Sequence, residues 1–129
     1  MPPIEVIFYQ DDNGRSPVVQ WLQELRRLHR KGYAKCVPRI RRLAELGHEL
    51  RRPEADYLRD GIYELRARRG RVNYRMLYFF HGQNVAVLVQ ALTKEGEIPG
   101  SDIERAIRWK QAFEQNPARH TYEGEATSG

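Results

Sequence analysis

The chain has 129 residues, of which 40% are hydrophobic and 30% charged, a composition that suits one soluble globular domain around one core. Its formal net charge of +5 at neutral pH points to an acidic partner, such as nucleic acid or an acidic protein. No apolar run is long enough to span a bilayer and the N-terminus carries no signal-peptide pattern, so no membrane association and a cytoplasmic location are expected.

Ile4 to Tyr9, IEVIFY, is a short β-rich segment, expected as a strand of the main sheet. Asp11-Asp12-Asn13-Gly14 is a turn. Ser16-Pro17 then opens a helix, with Ser as N-cap and Pro at the first helical position. Val18, Trp21, Leu22, Leu25 and Leu28 form its apolar stripe, and Gly32 is expected to end it. A second helix is expected over about Tyr33 to Leu46, with Val37, Ile40, Leu43, Ala44 and Leu46 as its stripe and Gly47 just past its end. Pro38 fits only a first turn, which predicts a later start or a kink. The single cysteine, Cys36, excludes an intrachain disulfide, and a buried thiol is expected there rather than a nucleophile. His48 to Pro53 is a polar connection, and Ala55 to Leu58 a short strand before Arg59-Asp60-Gly61.

Gly61 to Lys94 reads as three antiparallel strands with tips at Gly70-Arg71 and Gly82-Gln83. Gly at the first central position suits two-residue type II′ loops. That register sets Arg69 opposite Val72, Leu65 opposite Met76 and Arg66 opposite Arg75. On the next ladder it sets His81 opposite Asn84, Tyr78 opposite Val87 and Arg75 opposite Gln90. Alternation then sorts the side chains onto two faces. One face holds Tyr63, Leu65, Ala67, Val72, Tyr74, Met76, Tyr78, Phe80, Val85, Val87, Val89 and Ala91, and should carry the two helices. The other has an apolar end, Ile62, Leu77, Phe79 and Leu88, and a polar end, Arg66, Arg68, Arg71, Asn73, Arg75, Gln90 and Lys94. After the loop Glu95 to Gly100, Ser101 to Glu104 is a capping box opening a third helix, assigned to the apolar end of the second face. Asn116-Pro117 stops that helix. Residues 1–117 are expected as one domain and 118–129 as a mobile tail.

Arg66 opposite Arg75 is the informative pair, because like charges directly across a ladder destabilise it. Either the two guanidiniums splay into water beside Glu64, or a phosphate is the missing counter-charge. His29, His48, His81 and His120 have no metal-ligand spacing, and no P-loop, dinucleotide fingerprint or nucleophile elbow is present. Arg66, Arg75 and Lys94 could still promote chemistry without a metal or cofactor. RNA carries its own 2′-OH nucleophile, and cations can orient the phosphate and stabilise its developing charge.

The runs Leu58 to Arg66 and Tyr74 to Phe80, the lysine after the last strand, and Ile103-Glu104-Arg105-Ala106 together resemble the phage-derived HigB-like branch of the RelE/ParE toxin superfamily. The resemblance implies an α+β fold, with an N-terminal helical hairpin packed on a mostly antiparallel sheet of four to five strands and a C-terminal helix. It implies a type II toxin, an mRNA interferase that cleaves messages at the ribosome without metal and is neutralised by a helix-turn-helix antitoxin. Arg66, Arg75 and Lys94 are then the catalytic residues, and Arg68, Arg71, Asn73 and Gln90 bind RNA. Lys94-Glu95-Gly96 departs from the Lys-Lys-Thr segment of that branch, which implies either reduced activity or activity carried by Arg68, Arg71 or, from a folded-back tail, Tyr122. The alternatives are a ParE-like DNA gyrase inhibitor and an inactive relative that only binds its antitoxin.

Overall fold

Ser16 caps the first helix as its sequence predicts, its hydroxyl accepting from the Val19 amide at 3.3 Å. In the computed structural model, which describes residues 3–93 and 95–124, that helix is α1 (Pro17–Leu28). It follows the edge strand β1 (Glu5–Phe8) and turns at His29 into α2 (Arg30–Leu46). After a 3-10 turn at Gly47–Glu49 come β2 (Ala55–Arg59), β3 (Ile62–Arg69), β4 (Val72–His81) and β5 (Val85–Thr93). Two helices follow, α3 (Gly100–Gln115) and the short α4 (Pro117–His120). The fold is α+β. Its mixed sheet runs β1-β5-β4-β3-β2, parallel only between β1 and β5.

The α1–α2 pair covers one sheet face. Val18, Leu22, Cys36, Leu43, Leu65, Met76 and Leu88 lie fully buried between the layers. Each such aliphatic side chain contributes roughly 1.5–3 kcal/mol by burial. α3 covers the apolar part of the other face, where Ala106 and Phe113 meet Ile62, Leu77, Phe79, Val87 and Val89. Burial pushes the Cys36 thiol up to about 12, so the group is a packed hydrophobe. No helix among the described residues is long and apolar enough to cross a membrane.

The structure corrects the expected elements in several places. Gly32 lies inside α2 and does not end α1; a Cβ there would sit 2.1 Å from the Tyr74 Oη, so the glycine lets helix and sheet approach. Pro38 also lies inside α2. It and Ala34, whose carbonyl loses its helical partner, are both exposed, so water can replace that bond. The Ser101 capping box does not form. Pro99 is the N-cap and makes no side-chain cap bond, while Asp102 in the first turn accepts from Gln90 and Arg105.

Part of the expected tail is packed. Asn116 caps α4, Thr121 bridges Tyr9, the Tyr122 amide donates to the Phe8 carbonyl at 2.8 Å, and buried His120 stacks on Tyr9. A single proline-led turn has no periodicity to betray it, and its partner strand lies at the other end of the chain.

The β3–β4 register is as the sequence predicts, through Arg69↔Val72, Arg66↔Arg75 and Leu65↔Met76. The β4–β5 register is not. His81 pairs with Val85 and Tyr78 with Leu88, so the loop has three residues, Gly82 to Asn84. Val85, Val87 and Val89 therefore face α3, and Leu88 faces α1 and α2, the reverse of the expectation. A bulge between Leu77 and Tyr78 then shifts the ladder, so Leu77 faces Gln90 and Arg75 faces Leu92.

Candidate functional site

The polar end of the second sheet face forms a cleft of about 350 Å³. Its floor is Glu64 and Arg66 on β3 and Arg75 on β4; its walls are Asp56 to Arg59 on β2, Gly96 to Ile98 after β5, and Ile103 on α3. Asp60 and Gly61, at φ of 51° and 81°, make the tight β2–β3 turn that brings this edge in. A bulge between Tyr57 and Arg59 sets Asp56 directly opposite Glu64.

Glu64 is 3% exposed and bridges the like-charged pair. Its Oε1 lies 3.1 Å from Arg66 Nε and 3.4 Å from Arg75 Nε, and its Oε2 accepts from Arg66 Nη2 at 3.2 Å. Those three buried atoms, Glu64 Oε1, Arg66 Nε and Arg75 Nε, are close as ions yet make no aligned hydrogen bond among the described residues. Asp56 stands 3.6 Å from Arg66 and is held below the usual carboxylate range by its hydrogen bond from Arg52. The bond to Glu64 pushes the Arg66 guanidinium further up, which keeps it charged. Arg75 Nη1 also donates to the Gly96 carbonyl, so the loop after β5 roofs this side chain. The Arg75 side chain is 15% exposed and that of Arg66 38%, making Arg66 the open member of the pair.

Arg68, paired with Asn73, continues from the cleft toward the β3–β4 tip, where Arg71 lies exposed. Arg68 Nε is tied to the Gly70 carbonyl at 2.6 Å. Gln90 is not part of this open stripe: it is 6% exposed under α3 and donates to Asp102. The longer β4–β5 loop and the bulge together explain the difference, each shifting the ladder by one residue, so that Leu92 takes the place beside Arg75. Lys94 lies outside the described residues. Tyr122 packs by β1, at the sheet edge opposite β2 and β3, and so does not reach the arginines. Sequence reasoning missed Asp56 and the Gly96 carbonyl. An Asp-Gly turn signal marks the β2–β3 hairpin, but the bulge that aligns Asp56 leaves no trace in composition.

Chemically, the cleft offers two fixed guanidiniums with a buried carboxylate between them and an apolar wall at Ile98 and Ile103. It can bind a tetrahedral oxyanion through Arg66 while Glu64 holds Arg75 in register. Helices on both faces of a five-stranded mixed sheet are consistent with a RelE-like fold. Residues 23–111 match the family model described as phage derived protein Gp49-like (DUF891), and the chain belongs to that family. No curated protein shows a significant match to the chain.

Proposed function

We propose that the chain is the toxin of a type II toxin-antitoxin system, of the HigB-like branch of the RelE/ParE superfamily, and that it cleaves mRNA at the ribosome without a metal. The Gp49-like family is compatible with a toxin-like function. The observation that carries the reading is the juxtaposition of Arg66 and Arg75 in a cleft on one sheet face, against the ordinary preference of a ladder for opposite charges. In this reading Arg66 binds the scissile phosphate, with Arg75 held beside it by Glu64 to stabilise the developing charge; the adjacent 2′-OH attacks the phosphorus and gives up its proton to solvent, and the 5′-oxygen leaves with a proton from solvent. The products are a 2′,3′-cyclic phosphate and a 5′-hydroxyl end. Lys94 follows β5 and supplies the third cation; Arg68, Arg71 and Asn73 guide the flanking strand. An antitoxin of helix-turn-helix type silences the protein.

The second reading is a ParE-like gyrase inhibitor or a relative without nuclease activity. It is favoured by Glu64, which already balances one charge of the arginine pair. Induced expression separates them. Primer extension shows new 5′ ends within translated messages under the first reading. Intact messages with a supercoiling defect would support the second.

A further inference from the structure

A second concave surface lies on the opposite side of the sheet from the arginine cleft. It is a groove of about 560 Å³ between the α1–α2 corner and the β3–β4 hairpin. A smaller hollow beside it, running over Leu28 and Trp21, shares Leu25, His29 and Thr93 with it. Three large apolar side chains are exposed among the described residues, and two of them, Leu28 at 53% and Val72 at 39%, belong to this region. Leu25 lies between them. Arg30, Lys31 and Arg69 rim the groove, and none of the three is in an ion pair with a described acid. Glu24, in the smaller hollow, is the nearby acid.

The combination specifies its occupant. A second copy of this chain would bring the same cations against themselves, which opposes self-association. A nucleic acid strand would use the cations but leave the leucine and valine against phosphate and sugar. Tyr74 in the groove is 4% exposed and has no free face for a base, which leaves the exposed His29 ring and the half-buried Trp21 ring of the smaller hollow as the stacking surfaces, set beside the exposed Leu28. An acidic polypeptide with apolar anchors matches both features at once: side chains of leucine type cover Leu28 and Val72, and carboxylates meet the rim.

We propose that this groove docks an acidic amphipathic segment of a partner protein. The site is separate from the Arg66–Arg75 cleft, so the inference holds whether or not the chain cleaves RNA. A partner held here leaves the cleft to be covered by another part of the same partner or left open.

The test is a titration of the full chain, isotopically labelled, with a synthetic helical peptide carrying leucines at i, i+3, i+4 and i+7 and glutamates between them. The expected result is saturable amide shifts centred on Leu25, Leu28 and Val72. Leu28→Glu and Arg30→Glu should each weaken binding by about tenfold or more. Both positions are exposed, so the fold should survive, which a thermal melt verifies. The same peptide with lysines for glutamates should not bind. Absence of saturable shifts with the acidic peptide overturns the proposal. So does a shift pattern centred elsewhere, or a single-stranded oligoribonucleotide that occupies this groove more tightly than the peptide.

Discussion

Replacing Glu64 by Gln separates the cleft's role in stability from its role in binding. The carboxylate is 3% exposed and sits 3.1 and 3.4 Å from the two Nε atoms of a like-charged ladder pair. Removing one partner of a fully buried ion pair costs about 3–5 kcal/mol. Here Arg66 keeps a 38% exposed side chain and the Asp56 carboxylate at 3.6 Å, so water and Asp56 recover part of that cost. The expected loss is about 2–3 kcal/mol, measurable as a lower denaturant midpoint at unchanged slope. Affinity for a single-stranded oligoribonucleotide should move the other way. Loss of the carboxylate frees both guanidiniums for phosphate, and anisotropy titrations should show tighter binding and a steeper salt dependence. A Glu64→Gln chain as stable as the parent would refute the bridging role, and one that binds RNA more weakly would refute the assignment of the cleft to phosphate.

Arg75→Ala should cost more stability than Arg66→Ala, about 2 against about 1 kcal/mol, because Arg75 is the less exposed member and also holds the Gly96 carbonyl; chemical denaturation checks the order. Gly32→Ala should destabilise by about 1–3 kcal/mol despite alanine's better helix propensity, since its Cβ would overlap a buried Tyr74 ring, and Tyr74→Leu in the same chain should relieve the loss. Glu54 is held at about 2 by its hydrogen bond from Arg42, with Arg39 assisting. A depressed carboxyl stabilises the fold above its ordinary value near 4.3 and loses that contribution as pH falls toward 2. Solvent screens this pair, so Glu54→Gln should cost at most about 1 kcal/mol at neutral pH and flatten the acid limb of the stability curve.

The sequence is legible where one face of an element is wet. The α1 stripe, its Ser16 cap and the β3–β4 ladder all follow from alternation of apolar and polar residues, and they suffice to place Arg66 beside Arg75. It is illegible where both faces are dry. Val85 to Val89 is apolar at every position because α1 and α3 cover both sides, so nothing in that run distinguishes a two-residue from a three-residue loop. The one-residue slip exchanged the faces of Val87 and Leu88, and the bulge beyond it moved Gln90 beneath α3. Gly32 likewise looks like a helix terminator until the Tyr74 hydroxyl is seen against it. Glu64 is visible beside the cations in the chain, but the site's other compensating groups arise from tertiary contacts, Asp56 through a bulge and Gly96 through a loop that folds back over Arg75.

The central claim is that the Arg66–Arg75 cleft cleaves RNA by its own 2′-OH. The most direct measurement is the chemistry of the ends in an end-labelled message, incubated with translating ribosomes and either the parent chain or the Arg66→Ala and Arg75→Ala variants. The account predicts new 5′-hydroxyl ends and 2′,3′-cyclic phosphates with the parent chain, and neither with the folded variants. New ends that carry a 5′-phosphate, or cleavage that persists at full rate in both variants, would contradict it.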